Sequence, residues 1–198
     1  MKISCSNTDI SLATKVINSG GIVVFPTDTV YGIGCDPYNH EAVRSLYKIK
    51  KRKETKPFPI IGYSKNDLEK IAEFNTLAEK IAMKFWPGPV TLILKIKDKK
   101  IKKSLDLDEK IAVRVPNNQC VLSLLKECRL LVGTSANISG SDSFTNPDEC
   151  KNLSGYDLFI DGGIISSKGE STIIEIQEDK IKIVRKGSVS EEEIKELD

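Results

Sequence analysis

The chain reads as α/β, a twisted and mostly mixed β-sheet with flanking helices in one domain. Three observations carry that reading. Helix-period and strand-period segments alternate along the sequence. No Pro/Gly/Ser-rich linker or internal repeat divides its 198 residues. The last quarter holds two β-rich runs, 172–176 and 181–185, close enough for an antiparallel hairpin turned at Glu178-Asp179.

Residues 9–19 carry Ile10, Ala13, Val16 and Ile17 on one stripe, which predicts a helix capped by Thr8 and ended at Gly20. The apolar run 22–25 suits a buried strand. A second helix starts at Asn39, buries Ala42, Val43, Leu46 and Ile49, and ends near Lys50, because Pro57 holds Lys56 extended. Residues 58–63 read as a strand. Ser64 and Thr76 are placed to cap two helices, the second with Leu77, Ile81, Ala82 and Phe85 inward. Trp86-Pro87-Gly88-Pro89 breaks the pattern before a strand at 90–96. A strand at 111–115 stops at Pro116, a helix at 118–128 follows, and a strand at 130–134 delivers Ser135. A short strand at 158–160 precedes the hairpin, and Ser190 with Glu193 forms a capping-box signature.

Composition narrows the chemistry. Apolar residues make up 39% and charged residues 29%, enough for a core under a solvated surface. The net charge of +2 conceals clusters: Lys48, Lys50, Lys51, Arg52, Lys53 and Lys56 stand against Glu54 alone, and six lysines lie between 95 and 103. Basic patches suit phosphate-bearing partners, although the second cluster also reads as plain solvated surface. No run is long and apolar enough for a membrane span, and the opening residues do not read as a signal peptide. The five cysteines form no CxxC pair, and Cys120 and Cys128 suit core-facing helix positions. Free thiols in a reducing cytoplasm are therefore expected. Neither GxGxxG nor GxxxxGK[ST] occurs, so a bound nucleotide would lack both standard cradles.

Candidate site residues follow from position. Phe25 to Gly32 leaves a buried strand directly, a common ligand position, with Thr27 and Thr29 two apart. Lys50 and Arg52 are also two apart, as are Ser135 and Asn137; in extended segments each pair points to one side, and together they would wall an anion pocket. Lys50 and Arg52 are expected to be exposed there, so alanine at either should abolish activity without changing the melting temperature. Arg114 interrupts an apolar strand and reads as a solvated edge residue or a carboxylate clamp; Arg185 ends a strand in the same way. The single histidine, His40, reads as capping or solvent-exposed. Asp28, Asp36, Asp161 and Glu170 are scattered, and spacing pairs none of them.

These segments resemble a known family. Phe25-Pro26-Thr27-Asp28-Thr29-Val30-Tyr31-Gly32-Ile33-Gly34 is similar to the PT[ED]TVYGLG signature of YrdC-like proteins. Lys50-Lys51-Arg52 with Ser135-Ala136-Asn137 resembles their KxR…SxN set. The segments 86–92, 112–116, 169–173 and 184–187 match in the same order, so the resemblance runs from Gly20 to Gly187. It implies the YrdC-like fold, similar to the RibB-like sugar-phosphate synthases, with residues 1–198 as one catalytic domain. The family is the threonylcarbamoyl-AMP synthases, called TsaC in the short form without a further C-terminal domain, which this chain resembles.

The implied reaction joins L-threonine, bicarbonate and ATP, with Mg2+ on the nucleotide and no protein-bound metal, and releases pyrophosphate. A transferase complex then passes the threonylcarbamoyl group to tRNA adenosine 37, and tRNA or double-stranded RNA contact is a further expectation. By motif, the threonine pocket falls on Thr29, Arg114, Ser135 and Ser171. ATP contacts fall on Arg52, Lys56, Asn137, Thr145 and Arg185, with a backbone contact near Lys110. Lys50 is the family's essential lysine, and Lys50 with Arg52 forms the catalytic pair. Three positions depart from the pattern: Lys53 replaces a proline, Lys56 stands where longer members carry asparagine, and Ile61 where they carry histidine. The rival reading is a non-enzymatic RNA-binding module in ribosome maturation, which lacks RNP or KH signatures and has only 6% aromatic residues for stacking. A sugar-phosphate synthase would need acidic metal ligands that the sequence does not assemble.

Overall fold

A computed structural model describes residues 1–53, 56–177 and 180–197. The Glu178-Asp179 turn and the acid Glu54 lie outside the described residues.

The N-terminal part runs β1 (Lys2–Ile3), α1 (Asn7–Asn18), β2 (Val23–Phe25), β3 (Gly32–Gly34), α2 (His40–Lys50), β4 (Ile60–Gly62), α3 (Lys65–Glu69) and α4 (Thr76–Phe85). Then come β5 (Val90–Lys95), α5 (Lys99–Ser104), β6 (Lys110–Arg114), α6 (Gln119–Cys128), β7 (Leu130–Val132) and β8 (Thr134–Ser135). A 3-10 turn at Glu149–Asn152 precedes β9 (Leu158–Ile160), β10 (Thr172–Gln177), β11 (Lys180–Arg185) and α7 (Glu191–Lys195).

The mixed α/β character and flanking helices stand, but among the described residues the strands divide into two sheets rather than one. One has the order β1-β9-β2-β3-β8 and the other β11-β10-β5-β6-β4-β7. Both mix parallel and antiparallel pairs. The expected strand at 130–134 is where the division falls: β7 belongs to the second sheet, and after Gly133 the chain enters the first as β8. The sheets nearly touch there. A Cβ on Gly34 would fall 1.7 Å from the Val132 carbonyl oxygen, so only glycine fits.

Cap chemistry sets the helix limits. Ser6 rather than Thr8 caps α1, Asn39 caps α2, and Asn75 rather than Thr76 caps α4, each side-chain oxygen accepting a backbone N–H of the first turn. Ser64 caps α3, and Ser190 with Glu193 closes the capping box of α7. The basic segment after residue 95 contains α5, which Asp98 caps and which buries Ile101 under its lysines. Sequence periodicity gives no sign of it, because so short a helix offers only one inward turn.

Two apolar clusters hold the layers. The larger packs α2 and α4 against the inward sides of β4, β5 and β6; the smaller packs α1 and α6 against β2, β7 and β9. Strand alternation then fixes which residues are left for a site. In β6, Ile111 and Val113 point into the core, so Ala112 and Arg114 face the opposite side. In β5, Leu92 and Leu94 go inward and leave Thr91 and Ile93.

The expectation of free thiols throughout is overturned. Cys5, in the loop before α1, is bonded to Cys120 in the first turn of α6, with Cα atoms 5.4 Å apart. The packing of α1 on α6 brings together cysteines 115 residues apart, a pairing that spacing cannot reveal. Cys35, Cys128 and Cys150 remain free. Among the described residues no helix is long and apolar enough to cross a membrane.

Candidate functional site

A cleft of about 780 Å³ opens between the two sheets. Its walls are the β2–β3 loop, the C-terminal end of α2, the loop after β8, and the outward face of β5, β6, β10 and β11. That volume suits a small-molecule site.

Lys50 and Arg52 meet on one wall, but not as an extended pair. Lys50 is the last residue of α2, and Lys51 turns left-handed at φ 49 as its C-cap. The turn brings Arg52 N–H back to the Tyr47 carbonyl at 3.1 Å. Lys50 is also not exposed, retaining 1% of its surface. Its ammonium donates to the Ser135 carbonyl, and at 2.9 Å each to the Asn137 carbonyl and Asn137 Oδ1. Three donors thus meet three neutral acceptors. Asn137 Nδ2 donates to the Ser141 carbonyl at 2.5 Å, Ser135 Oγ donates to Asn137 Oδ1 at 2.8 Å, and Ser139 N–H donates to the Lys50 carbonyl at 2.9 Å. Lys50 is therefore the hub that ties α2 to the 135–141 loop.

Burial, and then the nearby Arg52 charge, push the Lys50 ammonium down to about 8, while Glu170 pulls the other way. Arg52 is also lowered, first by burial and further by the charge of Arg185. Its guanidinium lies 5.2 Å from the Phe58 ring centroid, and Nε donates to the Lys56 carbonyl at 2.7 Å.

The opposite end is built around Arg114. It is neither a solvated edge nor an open clamp: it is 7% exposed and already paired. Nη2 lies 2.5 Å from Asp28 Oδ1, Nη1 donates to Thr29 Oγ1 at 3.1 Å, and Nε donates to the Gly88 carbonyl at 2.9 Å. Burial lowers its pKa, Asp28 opposes the shift, and Arg185 adds to it. Two N–H groups of the fork remain for a ligand. Thr27 and Thr29 share a face as the spacing suggested, with hydroxyls 3.1 Å apart. Ser171 Oγ lies 2.9 Å from Thr91 Oγ1, because β10 runs parallel to β5 with Thr172 opposite Val90. Arg185 spans the middle, donating through Nε and Nη2 to the Ser171 carbonyl at 3.2 and 2.8 Å, and through Nη1 to Glu170.

Lys50, Arg52, Lys56, Thr29, Lys110, Arg114, Ser135, Asn137, Ser171 and Arg185 all line this cleft. Arg52 and Asn137 share it despite their separation in sequence. Thr145 does not line it: its N–H donates to Glu149 Oε2 at 3.2 Å and its carbonyl accepts from Ile165 at 2.9 Å. Lys110 lies on the same face of β6 as Ala112 and Arg114, and its ammonium is engaged by Glu175 at 2.5 Å. His40 is exposed at the start of α2, its Nδ1 3.1 Å from the Ser104 carbonyl.

Spacing missed Asp28 and Glu170. Asp28 finds Arg114 across 86 residues and also accepts from Asn117 N–H at 2.9 Å. Its only sequence signal is its place between two threonines in a strand-exit loop. Glu170 is the sole acidic side chain among the described residues lining the cleft. Among the described residues no group of three or more His, Cys, Asp or Glu could hold a metal ion.

Residues 15–187 match the Sua5/YciO/YrdC family, described as "Telomere recombination". A Methanocaldococcus jannaschii protein provisionally named threonylcarbamoyl-AMP synthase is 41% identical over 179 residues, covering 88% of this chain and 84% of its own. A Pyrococcus abyssi threonylcarbamoyl-AMP synthase is 35% identical over 195 residues, covering 95% of this chain but 56% of its own. The structure of P. abyssi Sua5 complexed with L-threonine superposes with a TM-score of 0.89 at 32% identity, covering all of this chain and 59% of that one. The chain thus spans a little over half the length of the Pyrococcus protein.

Proposed function

The chain belongs to the Sua5/YciO/YrdC family, and from that premise we propose that it is a threonylcarbamoyl-AMP synthase, a nucleotidyltransferase that makes L-threonylcarbamoyladenylate and pyrophosphate from L-threonine, bicarbonate and ATP. One observation carries the reading: a single cleft joins a buried guanidinium with N–H groups to spare, Arg114 held by Asp28 and the Thr29 hydroxyl, to a cluster of cations, Lys50, Arg52 and Arg185.

The reaction needs no protein nucleophile. Threonine's amine adds to carbon dioxide derived from bicarbonate, giving a carbamate. A carbamate oxygen then attacks the α-phosphorus of ATP, and the bond to the β-phosphate oxygen breaks. The task left to the protein is to hold two anions together. The free N–H groups of Arg114 would take the threonine carboxylate, and the hydroxyls of Thr29 and Ser171 would test its side chain. Such pairing discriminates strongly against analogues lacking the hydroxyl. Arg52, Arg185 and the buried Lys50 would offset repulsion at the transferring phosphoryl group. Magnesium would arrive on the triphosphate, and the cleft would offer it neutral hydroxyl oxygens, those of Ser135 and Ser139, rather than a carboxylate cluster. The ion supplies charge neutralisation.

Residues 1–198 are proposed as the catalytic unit, acting in the cytoplasm at the first step of threonylcarbamoyl-adenosine formation at tRNA position 37, with hand-over to a transferase complex. The RNA-binding alternative leaves the buried Arg114–Asp28–Thr29 arrangement without a task. Calorimetric titration with ATP, with and without threonine, tests the proposal: each ligand should bind, and threonine should change the ATP isotherm. An unchanged isotherm together with no threonine binding would remove it.

A further inference from the structure

Glu170 is an anion inside a cationic cleft. Its carboxylate accepts from Arg185 Nη1 and from Ser143 Oγ. The Arg185–Glu170 pair is not sealed: the two side chains keep 40% and 31% of their exposure. The guanidinium does not depend on Glu170 for its place, because Nε and Nη2 are fastened to Ser171, at 3.2 and 2.8 Å from its carbonyl, and Nη2 also donates to Ser171 Oγ at 3.1 Å. The Glu170 backbone is pinned as well. Ser188 N–H and Oγ each donate to the Glu170 carbonyl at 2.9 Å, and a Cβ on Gly187 would fall 2.4 Å from that oxygen. Only the Glu170 side chain can give way. Its charge also reaches Lys50 and Arg52.

We propose that Glu170 is a displaceable counter-anion, whose carboxylate holds the edge of Arg185 that a polyphosphate must take, and which returns to that edge to expel pyrophosphate. The inference rests on the reading of the cleft as a triphosphate site. A phosphate oxygen approaching Nη1 displaces a like charge before it gains its own bond, so binding is weaker than the cation count implies and the product is not trapped.

The test is calorimetric titration of inorganic pyrophosphate into the wild-type protein, Glu170→Gln and Glu170→Ala, with and without Mg2+, each variant first checked for an unchanged thermal transition. Glutamine keeps an oxygen for the Ser143 hydroxyl and removes only the charge. Metal-free pyrophosphate should bind either variant about tenfold more tightly than wild type, the size expected for losing one nearby like charge in a partly screened site. Equal or weaker binding by the variants, while wild type binds, overturns the inference and leaves the proposed reaction standing. Weaker binding only with Mg2+ makes Glu170 a metal ligand and overturns it too. No binding by any of the three overturns both.

Discussion

Lys50 Nζ lies 2.9 Å from both the carbonyl oxygen and Oδ1 of Asn137, so the end of α2 and the loop after β8 are joined by one buried ammonium. This separates what a mutation at Lys50 should do from what one at Arg52 should do.

Lys50→Ala should lose activity and stability together. It takes a donor from three acceptors, of which the Ser135 carbonyl keeps the Asn137 N–H at 3.0 Å and Asn137 Oδ1 keeps the Ser135 hydroxyl at 2.8 Å, and it costs about 2 kcal/mol. Arg52 is half-buried over Phe58 and bonds to the Lys56 and Pro57 carbonyls. Arg52→Ala should lose activity with a stability change under about 1 kcal/mol. Chemical denaturation of both variants checks this, and equal stability would show that Lys50 is not the hub.

The pH dependence of Lys50 has a definite sign. Its ammonium titrates near 8 in the folded state against 10.5 for an unperturbed lysine. Between those values the unfolded chain binds more protons, so this group makes stability rise with pH, and below about 8 its burial penalty is fully present. Cys35, Cys128 and Cys150, pushed up to about 12, 11 and 12 by burial, act in the opposite direction above pH 9. Subtracting the melting profile of Lys50→Met from that of wild type isolates the lysine. The difference should move in favour of wild type from pH 8 to 10; a flat difference would contradict the assignment.

Asp28 compensates a charge that is almost fully enclosed. Asp28→Ala should cost about 3–5 kcal/mol, because it leaves the Arg114 guanidinium buried without its partner. Asp28→Ala combined with Arg114→Met should recover much of that loss while threonine binding stays abolished. Urea titrations of the two singles and the double give the coupling, and additive losses would deny it.

The Cys5–Cys120 bond closes a span of 115 residues. Cys5→Ser should lower stability by about 2–4 kcal/mol without reductant and by much less with it. Thiol titration of the denatured, unreduced protein should find Cys35, Cys128 and Cys150 reactive and the other two silent.

Helices were legible wherever an apolar stripe and a cap coincided, as with Asn39 and the stripe Ala42, Val43, Leu46. Strands were legible as unbroken apolar runs, as at 22–25, and as β-branched alternation, as at 181–185. Two-residue β1 and the glycine-flanked β3 carry too little side-chain pattern to register, and the division into two sheets at Gly133 is a long-range event. In the site, the cations and hydroxyls were legible as ordered motifs. Their environment was not: the burial of Lys50, the Asp28 partner of Arg114 and the grip of Glu170 on Arg185 arise from contacts across 15 to 87 residues. Local spacing also misread Lys50 and Arg52, because a left-handed cap at Lys51 does what an extended segment was expected to do.

The central claim is that one cleft holds threonine beside ATP and couples them through bicarbonate. The most direct measurement is pyrophosphate release by the purified protein with each substrate omitted in turn. The account predicts release only when threonine, bicarbonate and ATP are all present. Release that is indifferent to threonine or bicarbonate, or none from folded protein supplied with all three and Mg2+, would contradict it.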